Sequence, residues 1–385
     1  MSLRQQRVGQ SLIGVAAGFL AATLAAQACD RDVRGGSGSS QLASAAVDGE
    51  EAQIELTTRW LVAPDPSSDP PLAAPVDIAA DEKNGRLLLL ELRPPELRSY
   101  SLTDGELLDV MGREGDGPGE YRHPIGVAVN DDGLAAVLAV DGRITFWDAE
   151  GAPAGIVQSG PGLASEIMAA RGDTFYVKSD LFPPNDFSEF RPVTPDTALA
   201  DVRYRDLDLL PELSHGRKNH AYAVAATAGG DLLLSPPGPD YVVLRIAPDG
   251  VVSETIARRQ IAPLERDARE IEAVRERVRR GFAAAGRPPP AVIPVPRYRQ
   301  HLARLAVAPD GTIWGLTQRG EGALSIIDGF GSDGRYEATY AVKLRVTDIA
   351  VTSEFLYLLA RGDHDVYGVA VARRPAGEGL DAARR

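Results

Sequence analysis

The feature that most constrains the fold is an internal repeat of short apolar segments separated by turn sequences. The clearest copy runs from Ile125 to Gly151 and contains two apolar runs joined by Asp132-Gly133, a third alternating run, and a second acidic-Gly turn before a fourth run. Asp-Gly provides the positive-φ positions that a tight hairpin requires. Four short strands per copy are typical of one β-propeller blade.

The unit recurs, which gives six copies in all. The apolar segments that open them are Val76–Ala80, Ile125–Val129, Ile167–Ala170, Tyr222–Ala226, Leu302–Val307 and Val346–Val351. Four of the copies are spaced about 40 to 55 residues apart, close to known blade lengths. The sequence therefore predicts an all-β chain folded as a six-bladed β-propeller over residues 51–374.

The last copy ends after its third strand, whereas the strand-like segment Ile54–Val62 belongs to no copy. An open sheet edge invites pairing with other chains, and a closed ring removes it. We therefore predict that the N-terminal segment completes the last blade. The alternative is a disordered strand outside the ring.

A helical insertion is predicted over residues 262–298, between the fourth and fifth blades. Apolar residues recur there every three or four positions, at Leu264, Ala268, Ile271, Val274, Val278 and Phe282. This spacing is typical of a helix with one apolar face. Gly286 and the prolines 288–290 end it. The insertion could be a lid, a docking helix or decoration.

Residues 1–28 have the organisation of an export signal peptide. Arg4 and Arg7 precede the apolar run Leu12–Leu24, and Ala26-Gln27-Ala28 supplies a cleavage pattern. Cys29, the only cysteine of the chain, follows directly. This placement predicts lipid attachment at Cys29; the alternative is ordinary cleavage before an incidental cysteine.

Beyond Cys29, residues 29–50 are predicted to form a flexible tether and residues 375–385 a disordered tail. The net charge of -13 repels phosphate backbones, which excludes nucleic acid as an expected partner. From the signal peptide and Cys29 we expect a protein of the cell envelope that faces the periplasm or the surface and contacts the membrane through its lipid anchor only. We also expect it to be a monomer.

Two links between copies carry a family resemblance. The segment Gly112–Pro124 followed by Ile125–Val129 resembles NHL-type repeats, and more closely the bacterial six-bladed β-propeller lipoprotein family. The link Pro294–Tyr298 ahead of Asp310–Trp314 also fits that family. The resemblance spans roughly residues 53 to 372. It implies the propeller fold but no activity, because most such proteins have none assigned.

Three histidines stand at equivalent places in their copies. His123, His220 and His301 each precede the turn glycine of their copy, Gly133, Gly230 or Gly311, by ten residues. Equivalent positions lie at equal heights around a ring, so the three imidazoles could hold a divalent metal with one coordination position open. Propellers of the amidating-lyase family, also of the NHL type, hold a channel metal through histidines. The alternative places these residues in links between blades.

No serine-hydrolase, zinc-protease or P-loop motif is present in the sequence. The first functional hypothesis is therefore a non-catalytic binding module for a protein, peptide or glycan. The second is a channel-centred, metal-dependent hydrolase or lyase, for which the divalent metal would be the one cofactor. A third is a sensor or structural component of an envelope complex.

Overall fold

The structure is a computed structural model. It describes residues 53–65, 67, 71–160, 163–170, 172–181, 187–196, 203–205, 222–284, 288–289, 291–293, 295–362 and 365–375. The predicted signal peptide and tether, with Cys29, lie outside the described residues, as does all of the predicted tail beyond Pro375.

Two strands precede the first blade, β1 (Gln53–Glu55) and β2 (Thr58–Val62). Blade one contains β3 (Pro75–Asp81), β4 (Arg86–Leu92), β5 (Pro95–Ser101) and β6 (Leu107–Met111). The link to blade two contains β7 (Arg113–Glu114) and β8 (Glu120–Tyr121). Blade two contains β9 (Pro124–Val129), β10 (Ala135–Ala139), β11 (Arg143–Trp147) and β12 (Pro153–Gln158).

Blade three contains β13 (Leu163–Ala169), β14 (Phe175–Leu181), β15 (Phe187–Val193) and β16 (Tyr204–Arg205). Blade four contains β17 (Ala223–Ala226), β18 (Leu232–Ser235), β19 (Val242–Ile246) and β20 (Val252–Ala257), and it is followed by α1 (Ala268–Ala284). Blade five contains β21 (Leu302–Val307), β22 (Ile313–Thr317), β23 (Ser325–Phe330) and β24 (Tyr336–Val342). Blade six contains β25 (Arg345–Val351), β26 (Phe355–Arg361) and β27 (Tyr367–Arg373).

Apart from the N-terminal strands β1 and β2, each blade is an antiparallel sheet whose strands follow one another in chain order. The first strands of the six blades contact one another in the cyclic order β3, β9, β13, β17, β21, β25 and back to β3. The chain is therefore the predicted six-bladed propeller, with the first strand of each blade lining the centre. Apolar side chains form six separate core clusters, each between two neighbouring blades.

The predicted closure is confirmed. Strand β2 pairs antiparallel with β27 and is the fourth strand of blade six. The prediction assigned the whole N-terminal segment to the last blade. Strand β1 instead pairs in parallel with β24 of blade five. Leu56 follows β1 in the sequence and is buried. The chain passes from blade five to blade six at this residue. The N-terminal segment thus fastens two blades.

Two turn glycines show that β2 occupies a true blade position. Gly105 has φ +76°, and a Cβ there would lie 2.0 Å from the Leu61 carbonyl oxygen of β2. Gly334 has φ +81°, and its Cβ would lie 2.0 Å from the Thr255 carbonyl oxygen in the fourth strand of blade four. In both cases the outer turn of one blade rests on the last strand of the preceding blade.

The predicted helix is present between blades four and five, and it begins four residues later than the apolar spacing suggested. Its start is fixed by a capping box. The Asp267 carboxylate accepts a hydrogen bond from the Glu270 amide at 2.7 Å, and the Glu270 carboxylate accepts one from the Asp267 amide at 3.1 Å. Leu264 consequently lies before the helix, in the segment that leads into it.

Candidate functional site

Five of the six innermost strands contain a β-bulge at the same level of the ring. The residues that directly follow the bulge are Asp77, Gly126, Glu166, Arg304 and Asp348. A bulge re-aims the side chains that follow it. Four of these five residues are charged, and they belong to blades one, three, five and six. We call Asp77, Glu166, Arg304 and Asp348 the channel cluster.

The centre of the channel cluster is an ion pair between two blades. The Arg304 Nε donates to the Asp348 Oδ1 at 3.2 Å, and the Ile349 amide donates to the same oxygen at 2.9 Å. Asp348 is 3% exposed, whereas the Arg304 side chain keeps 31% of its surface accessible. Arg304 is therefore the member of the pair that an incoming molecule can touch.

Asp77 connects the channel cluster to blade two. Its Oδ2 accepts a hydrogen bond from the Val127 amide at 2.7 Å, and its Oδ1 accepts one from the Ile78 amide at 3.0 Å. Gly126 occupies the equivalent place in blade two, where a Cβ would lie 3.4 Å from the Asp77 Oδ2 and 3.2 Å from Ile167. Any side chain at Gly126 would therefore crowd this carboxyl.

The electrostatics of the channel cluster show that its members act on one another across the ring. Burial raises the pKa of Asp77 well above its usual range, and the neighbouring Asp348 carboxylate raises it further. Burial also raises the pKa of Glu166, against the opposing effects of Arg304 and Lys178. Burial disfavours the Arg304 cation, but the carboxylates of Asp348, Glu166 and Asp77 outweigh that effect and raise its pKa. Residues from four blades can interact in this way only at the ring centre.

Blade three adds further charged and polar side chains next to the channel cluster. The Lys178 ammonium, which is 2% exposed, donates to the Asp180 carboxylate at 2.7 Å and to the Ser165 hydroxyl at 3.0 Å. The Ser188 hydroxyl donates to the same Asp180 oxygen at 2.7 Å. Lys178 pairs with Glu166 in the sheet register. The charges of Lys178 and Asp180 offset each other, so this group leaves the cluster's charge unchanged.

The structure places two of the three predicted histidines in different environments. His123 is exposed in the link between blades one and two, with φ +50°. His301 is 1% exposed, its Nε2 lies 3.0 Å from the Pro239 carbonyl oxygen, and its ring lies 5.2 Å from that of Tyr241. Burial lowers the pKa of His301. Because Nε2 faces a carbonyl, it carries the proton, and only Nδ1 of His301 could bind a metal.

His220 lies outside the described residues, so the three-histidine metal site stays a prediction. Within the described part of the chain, no group of three or more His, Cys, Asp or Glu side chains is arranged to hold a metal ion.

The channel cluster was not among the predicted sites, although the sequence contains a signal for it. Aligned on their turns, the opening segments of four copies read Asp-Ile-Ala from Asp77, Glu-Ile-Met from Glu166, Arg-Leu-Ala from Arg304 and Asp-Ile-Ala from Asp348. In each copy a charged residue stands at the same place in an otherwise apolar segment. Charged side chains are almost never buried unless they are paired. This coincidence could have marked the channel.

Comparison with solved structures identifies other proteins of this architecture. The calcium-binding protein regucalcin from Agrobacterium tumefaciens is 13% identical, with a TM-score of 0.50 over 84% of this chain and 96% of that one. A protein from Bacteroides fragilis described as exported is 11% identical, with a TM-score of 0.52 over 85% of this chain and 97% of that one. The shared feature is the fold. At these identities the likeness extends to the propeller and no further.

No protein-family model and no curated protein matches the sequence. Among the described residues, no helix is both long enough and apolar enough to span a membrane.

A further buried carboxyl, on strand β4 of blade one, makes stability depend on pH. Glu91 is 0% exposed and accepts a hydrogen bond from the Ala74 amide at 2.8 Å. Burial raises its pKa from 4.5 to about 7. Since the folded state holds this proton more tightly than the unfolded state, the contribution of Glu91 to stability is full below pH 4.5 and falls as the pH rises to about 7.

The variant Glu91→Gln removes this titration. We expect it to match the parent near pH 4 and to be more stable at pH 8, by up to about 3 kcal/mol. Urea unfolding at a series of pH values measures the difference. Glu106→Gln, the same change at an exposed position, should track the parent throughout. A Glu91→Gln curve that stays parallel to the parent's would show that this carboxyl does not titrate in the folded state.

Proposed function

We propose that this chain is an exported, lipid-anchored binding module that takes its ligand into the central channel of the propeller. The observation that carries the proposal is the channel cluster, in which side chains from four blades meet at the ring centre around a partly accessible arginine. Burying charge is costly unless it serves packing or recognition, and this group contributes little apolar packing. Ligand sites commonly combine a concave scaffold with a few convergent polar groups.

The N-terminal sequence supports the cellular location in this proposal. The sequence begins with a signal-like segment ending at Ala28, and its one cysteine is the next residue. The similar propeller from Bacteroides fragilis is itself described as exported. A lipid at Cys29 and the predicted tether over residues 29–50 would hold the ring near the membrane with its channel free to meet a soluble partner.

The test of anchoring is the chemistry of the mature N-terminus. We expect mass spectrometry of the membrane-extracted protein to find an acylated Cys29 as the first residue. A Cys29→Ser variant should carry no acyl group, because serine lacks the thiol to which the lipid would be attached. Recovery of the parent in the soluble fraction, with an unmodified cysteine, would contradict the anchor.

The test of the channel is a thermal-shift screen of the mature Cys29→Ser chain against sugars, peptides, amines and carboxylic acids. A ligand present at 100 times its Kd stabilises the folded state by about 2.7 kcal/mol. We expect at least one compound to raise the Tm of the parent and of Arg335→Gln, an exposed arginine on blade five, but not that of Arg304→Gln. Hits that stabilise Arg304→Gln as strongly as the parent would place the binding site elsewhere.

The alternative function, a metal-dependent hydrolase or lyase, depends on a metal held by His123, His220 and His301. Metal analysis of the purified protein separates it from the binding module. A stoichiometric divalent metal that is lost in His301→Ala would favour the enzyme.

A further inference from the structure

The insertion between blades four and five is basic, although the protein as a whole is acidic. Residues 273–300 contain seven arginines and one acidic residue, Glu276, whereas the whole chain has a net charge of -13. We call residues 264–299 the basic insertion, which consists of α1 and the segments that lead into and out of it. A cluster of positive charge on an acidic protein indicates a surface for a negatively charged partner.

The basic insertion leaves the ring and returns to it at one place. The Arg266 amide donates to the Arg297 carbonyl at 2.8 Å, and the Arg299 amide donates to the Leu264 carbonyl at 2.7 Å. The Arg266 guanidinium also donates to the Tyr298 carbonyl at 2.7 Å. Among the described residues between Arg266 and Arg297, no side chain belongs to any of the six core clusters. The insertion is therefore fastened at its base and does not fill the core of the ring.

The charged side of α1 faces the solvent. Arg280, near the end of the helix, is exposed, whereas the apolar residues Val274 and Val278 are half-buried. Arg279 is engaged by Glu272 at 2.8 Å, but no carboxylate in the described part of the chain pairs with Arg280. The guanidinium of Arg280 is therefore available to an anionic group from outside.

The most exposed large apolar side chain among the described residues belongs to the same insertion. This is Val292, which is 77% exposed. Five of the nine residues 288–296 are proline, which fixes φ and keeps the preceding residue extended. The described positions of this stretch belong to no helix or strand. A side chain on so restricted a backbone loses little conformational entropy when it binds.

We propose that the basic insertion binds the surface of a membrane that contains anionic phospholipids. Arg280 lies against the phosphate headgroups, and Val292 enters the boundary between headgroups and acyl chains. The proposal goes beyond the proposed function, because it requires neither a lipid at Cys29 nor a ligand in the channel. It adds a second membrane contact to the lipid anchor, which the sequence analysis expected to be the only one.

Two observations favour a lipid surface over an acidic protein. Basic side chains beside an exposed apolar one match the layered membrane interface, where phosphates lie next to hydrocarbon. The second observation is position. Strand β1 lies on the outer edge of blade five, and the basic insertion leads into β21 of the same blade. A lipid at Cys29 and the basic insertion would therefore meet the ring at one blade, and an acyl chain with a basic surface anchors more firmly than either alone.

The test is co-sedimentation of the mature Cys29→Ser chain with lipid vesicles, since this variant excludes an acyl group as the cause of binding. Vesicles of phosphatidylcholine alone are compared with vesicles that also contain phosphatidylglycerol. We expect binding to the anionic vesicles only. Binding should be lost as NaCl is raised from about 0.05 to 0.5 M, because salt screens exposed charges.

The charge is tested by reversal at one position. Arg280→Glu should weaken binding to the anionic vesicles about tenfold or more, because each charge near such a surface changes the affinity about fivefold. Arg335→Glu makes the same change at an exposed position on blade five and should keep the parent's affinity. Both variants should unfold at the parent's urea concentration, since neither residue belongs to a core cluster.

The apolar contact is tested separately. Val292→Asp should also weaken binding about tenfold or more, since it removes a buried apolar group and adds a negative charge at the membrane. Val251→Asp makes the same change at a residue on blade four that is 60% exposed, and it should bind as the parent does.

The inference would be overturned if the parent bound both kinds of vesicle equally or bound neither. It would also fail if Arg280→Glu bound like Arg335→Glu, or Val292→Asp like Val251→Asp. Binding of poly-glutamate by a parent that ignores the vesicles would overturn the lipid surface and indicate an acidic protein instead. The proposed function is judged apart from these results, because screen hits that depend on Arg304 should be retained in Arg280→Glu.

Discussion

Replacing Asp328 with alanine is expected to reduce the free energy of unfolding by about 3–5 kcal/mol. Asp328 is 0% exposed, in the third strand of blade five. Its carboxylate accepts hydrogen bonds from Arg258 at 2.8 Å, Tyr241 at 2.8 Å and Arg319 at 2.5 Å. Thr339 donates to it as well, at 2.7 Å. Since Tyr241 and Arg258 flank the outer strands of blade four, this one carboxylate joins two blades.

The cost arises from the charges left behind. Arg258 is 1% exposed, and its guanidinium lies 3.9 Å from the centre of the Tyr336 ring, so it cannot reach water when its partner is removed. Adding Arg258→Met to Asp328→Ala should therefore cost less than the sum of the two single changes. Asp131→Ala, the same truncation at an exposed turn, should change stability by no more than about 0.5 kcal/mol. Equal costs for Asp328→Ala and Asp131→Ala in urea unfolding would refute the role of this network.

Removing residues 53–62 is expected to be the most damaging truncation of the propeller. It deletes β1 and β2 together, and with them the buried side chains of Leu56 and Leu61 and the ion pair between Glu55 and Lys343. It also exposes the edges of β24 and β27, which can then pair with other chains. The loss of stability should be several times the roughly 1 kcal/mol of a typical point mutation.

The matched comparison uses two chains, one beginning at residue 53 and one beginning at residue 63. Both lack the signal peptide and tether, so only the closing strands differ. We expect the shorter chain to unfold at lower urea concentration and to form aggregates detectable by light scattering. Intermediate stability is expected for Leu61→Ala, at a cost of about 2–5 kcal/mol. If the two chains melt together and remain monomeric, the N-terminal strands do not close the ring.

Most of the fold could be predicted from the sequence because each blade repeats the same local pattern. The incomplete last copy and the unassigned segment Ile54–Val62 together indicated the closure, which the structure shows through strand β2. The parallel strand β1 could not be predicted in this way. It is only three residues long, and its partner lies in blade five rather than in the last blade. No local periodicity encodes such a pairing.

The channel cluster could not be predicted from any single copy of the repeat. Asp77 and Asp348 each interrupt an apolar segment by a single residue, and a strand residue's facing depends on the register. The bulges before them set that register, and they are visible only in the paired strands. Counting back from the turn glycines compares positions between copies, but it gives no information on burial. It assigned His123 and His301 to one height but could not show that one is exposed and the other buried.

The NMR resonance of the Arg304 Nε–H group tests most directly whether the channel cluster receives the ligand. This group donates to Asp348 at 3.2 Å, so it reports on the ion pair at the centre of the cluster. Its signal can be assigned by its loss in Arg304→Lys. We predict that a ligand from the screen will shift this resonance in a saturable manner, with the Kd obtained from calorimetry, while the Arg335 resonance stays in place. Saturable binding of the ligand with the Arg304 signal unmoved would contradict the account.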